Sequence, residues 1–187
     1  MLKESENPPI HWPLGKLIAD YEGQWRVAHT KSRNEKALAN TLVGKNISYF
    51  LPMRWKTSFA KSRKIRTLLP LFSGYLFFCG KEADRLEVLK TNRVANCIEV
   101  KEQAKLVAEL SAIERAINAG ADLEPHDYIK VGQRCRVSKG PLAGLQGIVI
   151  KGPAAARLVL QVDILGQAAS IEIDTDLLEI IEEQKEI

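Results

Sequence analysis

The chain has 187 residues, enough for one large or two small domains. Apolar residues make up 45% and charged ones 27%, an ordinary globular balance, and no apolar run reaches the roughly 20 residues that a bilayer-spanning helix needs. Formal net charge is only +4, yet it is unevenly spread: eleven Lys and Arg fall between Gln24 and Phe78 against Glu35 as the one acid, and the C-terminal end is acidic.

Residues 1–23 read as a poorly ordered leader, broken by Pro8-Pro9 and Trp12-Pro13. It lacks the basic-then-apolar order of a signal peptide. Trp12, Leu14, Leu17 and Ile18 are apolar enough to dock on a domain. Trp25 to Thr30 alternates as a strand does. Ser32 and Glu35 have the spacing of a capping box, which predicts a helix with Leu38 and Leu42 one turn apart and its end near Gly44. Ile47 to Met53 is β-prone. Arg54 to Arg66 reads as a basic hairpin tip or extended loop. Ile65–Leu69 and Gly74–Cys79 are predicted strands, with Pro70 and Gly74 as irregular points between them. A short helix over Glu82–Lys90 is expected to bury Leu86 and Leu89, and Val94–Val100 is expected as a strand. Leu106, Leu110, Ile113 and Ile117 fall on one helical stripe that ends at Gly120.

Residues 121–130, with Pro125, read as a linker. From Val131 the pattern is all-β. Leu158, Leu160, Val162 and Ile164 alternate with Val159, Gln161 and Asp163, and five short strands punctuated by glycines predict a small barrel. The expected boundaries are a leader at 1–23, an α+β domain at 24–120, a linker at 121–130, a barrel at 131–181 and an acidic tail at 182–187.

Chemistry-bearing clusters are sparse. His11, His29 and His126 lie far apart, without metal-ligand spacing. Neither a phosphate loop, a dinucleotide fingerprint nor a G-x-S-x-G motif is present. The reading is therefore of a non-enzyme without cofactor or metal. Cys79, Cys97 and Cys135 are scattered singly, as small buried thiols of a reducing, cytoplasmic compartment. The basic segment of Arg54, Lys56, Lys61, Arg63, Lys64 and Arg66 points to a polyanion, since Lys and Arg neutralise phosphates without reading sequence. Trp55 and Phe59 within it suit stacking on an unpaired base.

Two segments belong together. One is Leu69-Pro70-Leu71-Phe72-Ser73-Gly74-Tyr75-Leu76-Phe77-Phe78. The other runs from Val131 to Val149 and contains Lys139-Gly140-Pro141-Leu142-Ala143-Gly144-Leu145-Gln146-Gly147. In this order the chain resembles the NusG-type transcription elongation and antitermination factors. The first segment resembles the end of their N-terminal (NGN) domain, and the second resembles a KOW motif. Ser73 stands where the family usually has proline, and leucines stand where its KOW patch often has phenylalanines.

The resemblance implies a ferredoxin-like α/β sandwich joined by a flexible tether to a small SH3-like barrel. It implies docking on the clamp of the largest RNA polymerase subunits through an exposed apolar patch of Phe72, Tyr75 and Trp25. The basic segment would then lie near DNA at the transcription fork. Leu142, Leu145, Ile164 and Leu165 of the barrel would bind Rho or a ribosomal small-subunit protein. The protein is expected to be monomeric and free of membrane. The departure at Ser73, the leader and the unusual basic hairpin favour a specialised paralogue. An alternative reading is a ribosome- or RNA-associated KOW protein with no polymerase role, against which the Phe72–Tyr75 segment argues.

Overall fold

A computed structural model describes residues 6–60, 63–128, 132–151 and 156–181. The chain divides into two compact units, residues 1–107 and 108–187. The first is mixed α/β and the second is mostly β, as expected.

The first unit is built on five antiparallel strands: β1 (His11–Trp12), β2 (Gln24–Thr30), β3 (Ser48–Phe50), β6 (Tyr75–Gly80) and β7 (Val94–Glu99), in the spatial order β1-β3-β6-β2-β7. Two further strands, β4 (Met53–Ala60) and β5 (Arg63–Pro70), pair only with each other. Strand alternation sends Ala28, Tyr49, Leu76 and Phe78 to one face of the five-stranded sheet. There they form one core with Leu38, Ala39 and Leu42 of α1 (Glu35–Gly44) and Val88 of α2 (Glu82–Lys90). Trp25, Val27, Phe50 and Phe77, on the opposite face by register, are buried as well. A sheet covered on both faces explains why β6 reads as a near-continuous apolar run.

Three expectations for this unit are corrected. Residues 6–23 are not a loose leader. His11 and Trp12 pair with Phe50 and Tyr49, the Leu51 N–H donates to Ile10 O at 2.7 Å, and Ile18 is fully buried. This segment satisfies the backbone of β3, which would otherwise be an open edge. The capping box does not form: Asn34 sits at the N-cap and makes no side-chain bond to the helix's first turn, and Glu35 turns inward to Gly74 instead. On α2, Val88 is buried while Leu86 and Leu89 are 46% and 37% exposed. Residues two apart on a helix lie about 200° apart, so a core-facing Val88 turns Leu86 outward.

Helix α3 (Gln103–Asn118) carries the expected stripe, with Leu106, Leu110 and Ile113 buried. The second unit holds a six-stranded antiparallel sheet in the order β13-β9-β10-β11-β12-β8. Its strands are β8 (Glu124–Asp127), β9 (Gln133–Val137), β10 (Gln146–Lys151), β11 (Ala156–Val162), β12 (Gln167–Ile173) and β13 (Leu178–Ile180). Residues 124–127, expected within the linker, thus pair with β12, from Gln167↔Asp127 to Ser170↔Glu124. The expected strand ends at Val162, and Ile164 leaves it in a 3-10 turn. Arg157 of β11 bonds Glu124 at 3.0 Å and Glu172 at 2.9 Å, tying three strands together. Val131, the expected start of the barrel, and the acidic tail at 182–187 lie outside the described residues.

All three cysteines are free. Cys79 and Cys135 are buried and Cys97 is half-buried; burial pushes the Cys79 thiol up to about 11. Among the described residues no helix is long and apolar enough to cross a membrane, and no cluster of ligating side chains suits a metal.

Candidate docking and nucleic-acid surfaces

The connection from β5 to β6, residues 71–74, is fixed at several points. Its Leu71 N–H donates to Pro52 O at 2.8 Å. Both peptide groups of Gly74 are held: its N–H donates to the Glu35 carboxylate at 2.7 Å, and its C=O accepts from Thr30 N–H at 2.8 Å. Gly74 has φ +86°, a conformation open to glycine and strained for other residues. The turn delivers Tyr75 onto His29 in a stacked pair, with ring centroids 5.0 Å apart and planes 20° from parallel. His29 is exposed and Tyr75 half-buried, so the pair presents an aromatic surface beside the turn.

Phe72 and Trp25 do not join that surface. Phe72 is 2% exposed and packs edge-on against Phe77, with centroids 6.2 Å apart. Trp25 is also 2% exposed; Tyr21 stacks on it at 5.4 Å, and the Gln103 amide bonds both its N–H and its C=O. The expectation of an exposed patch of three aromatics is corrected to Tyr75 with His29. Phe72 is a core residue because Phe77, on the central strand β6, offers it an aromatic edge in the interior. His29 was missed as a partner although strand alternation aligns it with Tyr75 (His29↔Tyr75).

The basic segment, expected as a tip or loop, is a ribbon of two eight-residue strands. Register divides it into two faces. Trp55, Thr57 and Phe59 lie opposite Leu68, Arg66 and Lys64 on one; Arg54, Lys56 and Ser58 lie opposite Leu69, Thr67 and Ile65 on the other. The Arg66 guanidinium sits over the Trp55 ring, 4.7 Å from its centroid. Phe59 is 75% exposed. Lys56, Lys64 and Arg66 are exposed and form no ion pair among the described residues. Lys61 lies outside the described residues, and Arg63 opens β5. At the foot of the ribbon the Lys36 ammonium donates to Leu68 O and to Asn7 Oδ1, and burial lowers its pKa.

In the second unit, Leu142 lines a groove of about 290 Å³ with Val137, Pro141, Ile173 and Leu177, rimmed by Lys139 and Asp174. Leu145 is 1% exposed and belongs to the core, which corrects its expected role as a contact residue. Ile164 and Leu165 are half-buried in the turn between β11 and β12 and are not part of the groove lining.

Residues 23–115 match a protein-family model described as "Transcription termination factor nusG". No curated protein matches the chain. Among solved structures, one titled "Crystal Structure of MjSpt4:Spt5 complex conformation B" is 16% identical and covers 86% of this chain and 99% of that one, at a TM-score of 0.25.

Proposed function

We propose that this chain, a NusG-like protein by its family domain over residues 23–115, is a transcription elongation and antitermination factor of the cytoplasm. Its first unit binds RNA polymerase, on the clamp of the largest subunit. The surface for this contact is the Tyr75–His29 stack, and the observation that supports it is the two-sided clamping of Gly74 by Glu35 and Thr30. A rigid aromatic anchor loses little conformational freedom on binding, which is why such residues dominate interfaces.

The ribbon of β4 and β5 extends this grip to nucleic acid near the fork. Arg54, Lys56, Lys64 and Arg66 neutralise phosphates, with Lys61 and Arg63 completing the basic run. The second unit, as a KOW domain, recruits a further protein, with Leu142, Ile164 and Leu165 as its contact residues. Rho and a ribosomal small-subunit protein are the partners that fit the family. Holding that partner on the same chain raises its local concentration at the polymerase.

The test is association of the full-length protein with purified core polymerase. Tyr75→Ala should abolish capture while leaving the circular dichroism spectrum unchanged. Undiminished capture by that variant removes the proposed surface.

A further inference from the structure

We propose that the segment from Asn7 to Trp12 braces the ribbon of β4 and β5, and that Lys36 is the positioning residue that latches the brace. Undoing the latch frees the ribbon to swing on the five-stranded sheet with its own two strands still paired. This goes beyond the reading above and holds whatever the ribbon touches.

The ribbon needs an anchor. Its strands pair only with each other, and two strands alone are marginal in water. The bond from Leu71 N–H to Pro52 O closes its foot but joins one leg to the other, so it does not aim the ribbon. Met53 is buried in the core and Leu68 packs against it, yet apolar contact is non-directional.

Two directional ties come from outside the ribbon. On the first leg, the Leu51 N–H donates to Ile10 O at 2.7 Å, two residues before β4 begins. On the second leg, the Lys36 ammonium donates to Leu68 O of β5. The same ammonium donates to Asn7 Oδ1 at 2.6 Å. Asn7 and Ile10 are three residues apart, about 10 Å of extended chain. One short stretch thus reaches both legs. Closing the edge of β3 accounts for His11 and Trp12, which pair with it. It does not account for Asn7, which lies before β1 and meets the ribbon through Lys36.

The latch has a fixed base on either side. Lys36 stands on α1, whose Leu38 and Leu42 are fully buried. Beyond Asn7, the Tyr49 hydroxyl donates to Pro9 O at 2.8 Å and Trp12 Nε1 donates to Asn46 Oδ1 at 3.1 Å. An ammonium carries three donors, and bonds from a charged donor are about twice as strong as neutral ones. Burial has stripped part of its water, as its lowered pKa records, so the two acceptors stand in for that water.

The experiment is NMR of the full-length free protein, by residual dipolar couplings and nitrogen-15 relaxation. In the wild type, the β4 and β5 amides should share the alignment of β2 and β6, with order parameters near about 0.85. Lys36→Met keeps the aliphatic stem and removes the donors. It should take the ribbon amides out of the common alignment and below about 0.6, while contacts between Trp55 and Leu68 across the strands persist. Asn7→Ala, on the brace itself, should act in the same direction. Asn7→Asp keeps an acceptor oxygen for the ammonium and should restore the wild-type values. The proposal is overturned if either Lys36→Met or Asn7→Ala leaves the ribbon in the common alignment, or if the wild-type ribbon already departs from it. It is also overturned if the cross-strand contacts vanish, or if β2 and β6 lose order with the ribbon, for Lys36 would then support the fold rather than the ribbon's direction. The measurement contains neither polymerase nor nucleic acid, so its outcome is separate from that of the Tyr75→Ala capture test.

Discussion

The carboxylate of Glu35 accepts the backbone N–H of Gly74 at 2.7 Å, although the two residues lie on different elements and Glu35 is 6% exposed. A buried carboxylate is costly unless it is hydrogen-bonded. Here the bond fixes the turn that sets Tyr75 on His29. Glu35 is therefore a positioning residue: it shapes the proposed docking surface without forming part of it.

From this, Glu35→Ala should destabilise the protein by about 1.5–3 kcal/mol, the range for losing a hydrogen bond to a charged group. It should also weaken polymerase capture, because Gly74 loses one of its two ties. Glu35→Gln keeps an acceptor oxygen and should fall between the two. Denaturant unfolding of all three proteins, run beside the capture assay, checks both parts. An alanine variant as stable as the wild type would remove Glu35 from this role.

Phe72 and Tyr75 sit three residues apart and should behave as opposites. Phe72 is buried against Phe77, so Phe72→Ala should cost about 3–5 kcal/mol through lost burial and a residual cavity. Tyr75→Ala should leave melting nearly unchanged and remove polymerase capture. Thermal melts read the first and capture the second. Equal stability losses in both variants would make Tyr75 a core residue and leave the surface without its anchor.

Much of this arrangement is legible in the sequence. Apolar alternation marks β2 and β11, a continuous apolar run marks β6, and the stripe from Leu106 to Ile113 marks α3. Those signals are local and periodic, so each is complete within its own stretch of chain. The burial of Phe72 is not legible in that way. An aromatic beside a turn glycine reads equally as anchor or as core, and what decides it is Phe77 across the interior. Glu35 shows the same limit, because its capping-box spacing is local and its Gly74 partner is 39 positions away. The pairing of His11 and Trp12 with β3 is carried by backbone groups, which leave no trace in a side-chain pattern. In the ribbon, cations on both faces hide the period-two signal, so eight-residue strands look like a loop.

Gly147 of β10 tests the packing of the second unit. A Cβ built there would lie 2.6 Å from Val159 O and 3.0 Å from Leu158 Cδ1. The first of these is backbone of the adjacent strand β11 and has little room to yield. Gly147→Ala should therefore destabilise this unit by about 1–3 kcal/mol, as overpacking does. Amide hydrogen exchange should quicken across β10 and β11 and stay unchanged in β2 and β6. Unaltered protection in β10 would mean that the strands separate there at no cost.

Glu87 gives a pH dependence with a definite sign. Hydrogen bonds from the Lys45 ammonium first, at 2.6 Å, and then from Lys90, at 2.7 Å, lower its carboxyl from the ordinary 4.5 to about 2. A carboxyl depressed in the folded state binds its proton more weakly there than in the unfolded chain. Its stabilising contribution is therefore whole above about 4.5 and disappears as pH falls toward about 2. Lys45 follows the end of α1 and Glu87 lies on α2, so this ion pair ties the two helices that cover one face of the sheet. Lys45→Met should raise the Glu87 midpoint toward its ordinary value. The stability gap between that variant and the wild type should be present at neutral pH and narrow over the acid range. Carboxyl-carbon NMR titration reads the midpoint directly, and acid-range melts read the gap. A wild-type Glu87 titrating near 4.5 would show that the pair is not held in solution.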